Sequence, residues 1–242
     1  MEALILAAGL GTRLRPLTND RPKALVEVGG RTLLETNIRR LTAAGATRIV
    51  VNVHHFADMI CRFVAERQWD VPVVISDERA LLLDTGGALR HAAPLFSGNA
   101  PILVHNVDIL SSLDLNKMVE HHTHSMNIAT LAASHRDTSR LLLFDHQGHL
   151  AGWTNRNNGE TLWANKPLTA YDTLAFSGIS VIDPSLPTLL PEADHPYPII
   201  PEYLRLAATH TIGCYLHNPD QWIDVGKVEA LEPAAKLIAN QR

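Results

Sequence analysis

Over the first 125 residues, short apolar runs alternate with segments of helical period. The runs at 3–8, 48–54, 71–76 and 101–108 are rich in Val, Ile and Leu and mostly apolar throughout. A strand with one wet face alternates, whereas an unbroken apolar strand is covered on both faces, as in a parallel sheet. Between the runs, residues 32–44 carry Leu33, Leu34, Ile38 and Leu41 at helical spacing and stop at Gly45. Residues 56–67 and 86–95 have the same character. The β-α-β-α order predicts an α/β fold: an open, mostly parallel, doubly wound sheet flanked by helices.

The second half changes character. Residues 128–133, 141–144 and 174–182 read as strands, Gly148 and Asn157-Asn158-Gly159 as turns, and 227–240 as a terminal helix. With no linker in view, 1–242 reads as a single domain of two halves, 1–125 and 126–242.

Composition narrows the function classes. A chain of 242 residues with 46% apolar and 19% charged residues is ordinary globular material. A net charge of -4 without a long basic run argues against general nucleic-acid binding. No apolar run reaches the ~18 residues of a spanning helix. Met1-Glu2-Ala3-Leu4-Ile5-Leu6 has no basic flank and reads as a buried first strand, not a signal peptide. Cys61 and Cys214 sit in no metal-type spacing, and the reading points to a reducing cytoplasm. His54-His55 invites a metal reading, as does His121-His122-x-His124. The latter is assigned instead to the solvated face of an exposed helix.

The chemistry begins where the first run ends, in Leu6-Ala7-Ala8-Gly9-Leu10-Gly11-Thr12-Arg13-Leu14-Arg15-Pro16. Small residues let backbone N–H groups approach phosphate oxygens, and Arg13 adds a fork of donors. Leu14 stands where a dinucleotide fingerprint needs its third glycine, and no Gly-Lys-Ser/Thr makes a Walker loop. Ten residues on, in Arg21-Pro22-Lys23-Ala24-Leu25, the proline fixes the backbone just before Lys23. Asp108 closes the run Val104-His105-Asn106-Val107-Asp108, at the strand end where open parallel sheets gather ligands, and suits Mg²⁺. Asp224 lies in Trp222-Ile223-Asp224-Val225-Gly226-Lys227, ahead of the terminal helix.

Together the glycine loop, Pro16-Leu17-Thr18 and Pro22-Lys23 resemble the signature of the sugar-1-phosphate nucleotidyltransferases, enzymes with a Rossmann-like sheet. The resemblance extends to the terminal helix. It implies that Leu6, Ala8, Gly9, Gly11 and Thr12 wrap a nucleoside triphosphate, and that Arg13 and Lys23 are catalytic, stabilising charge at the α-phosphate. It further implies that Asp108 and Asp224 hold Mg²⁺ and that Gly86 and Gly87, in Leu83-Asp84-Thr85-Gly86-Gly87, contact the nucleobase. Residues 1–125 become the nucleotide-binding half and 126–242 the sugar-phosphate half. On that second side Ser177 and Gly178 fit a sugar hydroxyl, although a β-bulge explains the pair equally well.

The family's Glu-Lys-Pro motif is absent, leaving Asn155 and Glu160, and more remotely Lys166-Pro167, as sugar-pocket candidates. Where the family usually has Gly-Asp, this chain has Val107-Asp108, and the valine is expected to narrow the metal site. The short form resembles N-acetylmuramate 1-phosphate uridylyltransferases of cell-wall recycling, with mannose- and heptose-1-phosphate guanylyltransferases as the rival branch. A non-catalytic nucleotide-sugar-binding regulator is the alternative of another class. The partners implied are a nucleoside triphosphate and a sugar 1-phosphate, with neither nucleic acid nor membrane.

Overall fold

A computed structural model describes residues 1–217 and 221–240. In its first half, β1 (Glu2–Leu6) leads through a loop to a two-stranded ribbon of β2 (Glu27–Val28) and β3 (Arg31–Thr32). Helix α1 (Leu33–Ala43) follows. Thr32 caps it by accepting from Glu35 N–H at 3.1 Å, and Gly45 ends it at φ +82°. Then come β4 (Ile49–Val53), α2 (Ala57–Ala65), β5 (Val73–Asp77), α3 (Asp84–Ala92) and β6 (Ile102–Asn106). All four expected strands form. The one expected to reach Asp108 ends at Asn106, so Asp108 sits on the turn into β7 (Ile109–Ser111).

The second half contains α4 (Leu115–His124), β8 (Ala129–Ser134), β9 (Arg140–Phe144), β10 (Leu150–Asn155), β11 (Glu160–Trp163) and β12 (Asp172–Ile182). After these come α5 (Leu186–Leu189), α6 (Ile199–Ala207), β13 (Ile212–Leu216), β14 (Trp222–Asp224) and α7 (Leu231–Asn240). The terminal helix begins at Leu231 because residues 228–230 form a separate 3₁₀ turn.

The large sheet has the order β11-β10-β9-β12-β6-β1-β4-β5, with β8 also paired to β12 and β13 to β8. Its central strands β6, β1, β4 and β5 are parallel, as the unbroken apolar runs require. From β12 outward the large sheet is antiparallel except for the β8–β13 pair. Alternate residues of β1 face opposite layers. Ala3 and Ile5 pack with Leu33, Leu34, Ile38 and Leu41 of α1 and with Ile60 of α2, while Leu4 packs with Leu89 of α3 and Tyr203 of α6. Helices therefore cover both faces. Among the described residues no helix is long and apolar enough to cross a membrane.

Candidate active site

The parallel strands deliver their carboxyl ends to one cavity of about 730 Å³. Leu6 reaches it at the end of β1, with Ala7 and Ala8 just after it, Asn52 from β4, and Asn106 at the end of β6, with Val107 and Asp108 on the turn that follows. The glycine loop completes that wall with Gly9, Leu10, Gly11, Thr12 and Arg13.

Asn52 shapes the start of the loop. Its buried side-chain oxygen accepts from Ala7 N–H at 2.6 Å and from Ala8 N–H at 3.3 Å. Those amides are engaged, so the donors left for phosphate lie further along. Asn52 Nδ2 donates to the buried Glu78 carboxylate at 2.9 Å, and Glu78 also accepts from Leu83 N–H at 3.4 Å. Burial raises the Glu78 carboxyl above its ordinary value, against the pull of these hydrogen bonds. One pair of side chains thus ties the phosphate loop to the loop ahead of α3.

Gly11 has to be glycine. Its φ is +63°, and a Cβ would lie 3.0 Å from Lys23 Cβ and 3.1 Å from Thr18 Cγ2. Thr18 Oγ1 donates to Gly11 O at 2.8 Å, and the fully buried Leu14 anchors the turn from below. The same packing carries Lys23, which is 7% exposed and not a solvated surface lysine. Its ammonium contacts the Asp108 carboxylate.

The small β7–β14 ribbon joins the two acids. Asp224 stands opposite Ile109, and Val225 N–H donates to Asp108 O at 2.8 Å. Arg13 Nη2 lies 3.7 Å from Asp224 Oδ2. Gly226 makes room for that approach, since a Cβ there would meet Arg13 Nη2 at 2.7 Å. Burial raises the Asp224 carboxyl, and the Asp108 charge raises it further, against Lys23, Arg13 and Arg136. Asp224 Oδ1 is buried without a hydrogen-bond partner among the described residues. An orphaned carboxylate oxygen beside a second carboxylate, with phosphate oxygens and water to complete the shell, fits a hard divalent cation. Complete burial lowers the His105 pKa to about 3.

The far wall consists of Leu81, Leu82, Asp84, Thr85 and Pro196. Gly86 and Gly87 are not in the lining. Both amides donate to Tyr197 O, at 2.9 and 3.3 Å, and a Cβ on Gly86 would stand 2.5 Å from the Tyr197 ring. The glycines let α3 dock beneath the Tyr197 segment. Thr85 accepts from Ile199 N–H at the start of α6 (2.9 Å). Asp84 holds φ +58°, a left-handed conformation tolerated by aspartate.

The four sugar-side candidates do not line this cavity. Ser177 is fully buried, its Oγ 2.7 Å from His217 Nε2. Gly178 takes φ +71°, with Asn106 Nδ2 2.9 Å from where a Cβ would be. The β8–β12 register shifts between Phe176 and Ser180, so the pair does form a bulge. Asn155 and Glu160 face each other across the β10–β11 hairpin, and their side chains serve its turn through Asn157 N–H and Asn158. Lys166 lines a separate cavity of about 250 Å³.

Val107 lines the cavity beside Asp108, as expected, and also belongs to the core: it is 4% exposed, its N–H donates to Leu6 O at 3.1 Å, and its carbonyl accepts from Asn37 Nδ2 at 2.8 Å. It does not have a positive φ. The histidine run of α4 is not wholly solvated, because His122 is buried with Nδ1 2.9 Å from Thr130 Oγ1. Among the described residues no group of three or more His, Cys, Asp or Glu side chains is placed to hold a metal. The sequence reading missed Asn52, Glu78 and Arg136. A polar residue inside the apolar run Ile49-Val50-Val51-Asn52-Val53 was the available signal for the first.

Residues 2–142 match the family model described as nucleotidyl transferase. The N-acetylmuramate alpha-1-phosphate uridylyltransferase of Caulobacter vibrioides is 34% identical over 99% of this chain and 96% of its own length. The mannose-1-phosphate guanyltransferase of Pichia angusta is 30% identical over 94% of this chain, which spans 61% of that protein. In fold, the chain is similar to HddC from Yersinia pseudotuberculosis complexed with GMP-PN. The TM-score is 0.76 and the identity 22%, covering 98% and 99% of the two chains.

Proposed function

The chain belongs to the nucleotidyl transferase family, as a sugar-1-phosphate nucleotidyltransferase, and we propose that it joins uridine triphosphate to N-acetylmuramate 1-phosphate. The products are the nucleotide-sugar and pyrophosphate. The observation that carries the chemistry is the convergence of Lys23, Arg13 and Asp108 at the wall of one cavity, with Asp224 3.7 Å from Arg13 just behind it. The choice of base and sugar rests on the 34% identical relative.

A phosphate oxygen of the sugar 1-phosphate attacks the α-phosphorus in line, and the bond to the bridging oxygen of pyrophosphate breaks. The attacking oxygen is already anionic, so no general base is required. The protein has to bring two anions together and counter the growing charge. Arg13 and Lys23 would act on the α-phosphate from the loop side. Asp108 and Asp224 would hold Mg²⁺, which when bound supplies Lewis-acid neutralisation of the phosphate oxygens. The base would rest against Leu81, Leu82 and Asp84, with Gly86 and Gly87 fixing that wall from beneath. In this reading residues 1–125 serve the nucleotide and 126–242 the sugar phosphate, in the cytoplasm.

A guanylyltransferase is the second reading, favoured by the 30% identical mannose-1-phosphate enzyme. Pyrophosphate release, measured with Mg²⁺ over a panel of triphosphates and sugar 1-phosphates, separates them. The uridine triphosphate and N-acetylmuramate 1-phosphate pair should give the highest kcat/KM. A preference for guanosine triphosphate moves the assignment to the second reading, and no release with any pair removes both.

A further inference from the structure

Arg136 lies just beyond β8, outside every motif read from the sequence. Three contacts fix its guanidinium. Nε donates to Ser134 Oγ at 3.0 Å, Nη2 donates to Phe176 O at 2.7 Å, and Cζ stands 3.5 Å over the Trp222 ring. These contacts hold the group in place and leave Nη1 without a hydrogen bond among the described residues. No described carboxylate lies within ion-pair distance of it. Asp224 acts on it from further away. Burial lowers the guanidinium from its ordinary value, and Asp224 offsets only part of that.

A rigid, half-buried cation without a paired anion is costly unless a ligand supplies the charge. Its setting indicates which ligand. Trp222, the ring beneath it, lies two residues before Asp224 on β14. Phe176 precedes the Ser177-Gly178 bulge, which abuts Asn106 of the cavity wall. Asp224 therefore has one guanidinium at 3.7 Å, Arg13 of the glycine loop, and feels a second, Arg136 over the Trp222 ring, from further away. The four sugar-side candidates named from sequence supply no cation there.

We propose that Arg136 receives the phosphate of the acceptor sugar 1-phosphate. The proposal rests on the nucleotidyl-transfer reading. Arg13 and Lys23 counter the triphosphate, and Arg136 counters the attacking phosphate beside Asp224. Both N–H donors of Arg136 Nη1 and the second N–H of Nη2 stay free of other partners among the described residues, and the adjacent Nη1 and Nη2 donors form the fork that a phosphate accepts.

The test compares the parent with Arg136→Gln and Arg136→Lys. In Arg136→Gln, KM for N-acetylmuramate 1-phosphate should rise about 10–100-fold, the span of one charge-assisted hydrogen bond. KM for the triphosphate should stay within about twofold, and Arg136→Lys should recover part of the loss. Thermal unfolding shows whether each variant is folded. A folded Arg136→Gln with unchanged KM for the sugar phosphate overturns the proposal while the parent's turnover upholds the reading beneath it. Equal rises in both KM values, signalling a purely structural role, overturn it too. N-acetylglucosamine 1-phosphate lacks the lactyl carboxylate. If its KM were unaffected while that of N-acetylmuramate 1-phosphate rose, Arg136 would read the carboxylate and the phosphate assignment would fall. Should the parent turn over no pair, calorimetric titration with inorganic phosphate still decides: Arg136→Gln must bind it more weakly than the parent.

Discussion

The Lys23 ammonium rests against the Asp108 carboxylate, so the proposed phosphate-binding cation and one proposed metal ligand neutralise each other in the ligand-free chain. Both side chains are largely buried, 9% and 21% exposed, so removing one partner would leave the other charge uncompensated away from water. Asp224, close enough for its charge to be felt, has among the described residues only the longer contact to Arg13. Substrate and metal would therefore enter by exchange: Lys23 leaves a carboxylate for a phosphate, and a divalent cation takes its place between the acids.

Lys23→Met should test that exchange. We expect turnover to fall by about 10²–10³, as for removal of one transition-state donor. The metal-free variant should also unfold at lower temperature, because Asp108 is left without its partner. Mg²⁺ should then raise its melting temperature by more than it raises the parent's. Thermal unfolding with and without Mg²⁺ checks the second part, and an equal or smaller rise would show that Lys23 and the metal do not share Asp108.

Asp224→Asn should separate stability from activity. The Asp224 carboxyl is raised above its ordinary 3.8, by burial first and by Asp108 second. A raised acid favours folding below its unfolded pKa, and that contribution is lost as pH rises through the folded value. The ionised form at neutral pH is therefore a cost to the metal-free fold. In the presence of a chelator, Asp224→Asn should melt at or above the parent's temperature at pH 7. Its advantage should shrink as pH falls toward the ordinary carboxylate range. Mg²⁺-dependent turnover should drop in the same variant. A lower melting temperature at pH 7 would mean that Asp224 stabilises the fold without metal.

Asn52→Leu should loosen two walls at once. The substitution leaves Ala7 N–H and Glu78 without their partner. Each buried polar group left unpaired costs about 1–3 kcal/mol, so a loss of about 2–6 kcal/mol is expected in denaturant unfolding. Amide exchange should speed up at Ala7 and Ala8, and KM for the triphosphate should rise. Unchanged protection of those two amides would show that the loop holds its shape without Asn52.

Much of this was legible along the chain, for reasons that differ by region. Parallel strands buried on both faces leave a compositional mark, and the runs that became β1, β4, β5 and β6 carried it. The hairpin of β10 and β11 carried none. Gly152-Trp153-Thr154-Asn155 looks polar because one face stays wet, and its strand character comes from pairing with β9. Lys23 and Arg13 sit in a local motif where spacing is informative. Arg136 has no such pattern, since Phe176 and Trp222, which define its surroundings, arrive from distant strands. The sugar side suffered most. Ser177 and Asn155 look like ligand groups as residues, yet His217 and the hairpin turn already engage them.

Val107→Gly tests the one position at which the sequence departs from the family pattern beside a proposed metal ligand. From sequence alone the valine narrows the metal site, and glycine should be tolerated and open it. The structure puts Val107 both in the cavity lining and in the core, and the core packing points to the opposite outcome. The Val107 side chain packs in the core layer with Leu14, Ile109 and Leu110, and its backbone is held by Leu6 O and Asn37 Nδ2. Its φ is not in the region where glycine is favoured, so no strain is relieved. Removing a buried valine side chain forfeits about 1.5–3 kcal/mol of burial. Glycine adds about 0.4–1 kcal/mol through the freedom of the unfolded chain. We therefore expect a loss of about 2–4 kcal/mol, or about 4–16 °C in melting temperature for a chain of this size. Asp108 follows directly, so a looser Val107 frees the carboxylate that Lys23 holds, and turnover per folded molecule should fall. Thermal unfolding and turnover at a temperature where the variant is fully folded check both parts. A stable Val107→Gly with turnover at or above the parent's would mean that the valine obstructs the metal site after all.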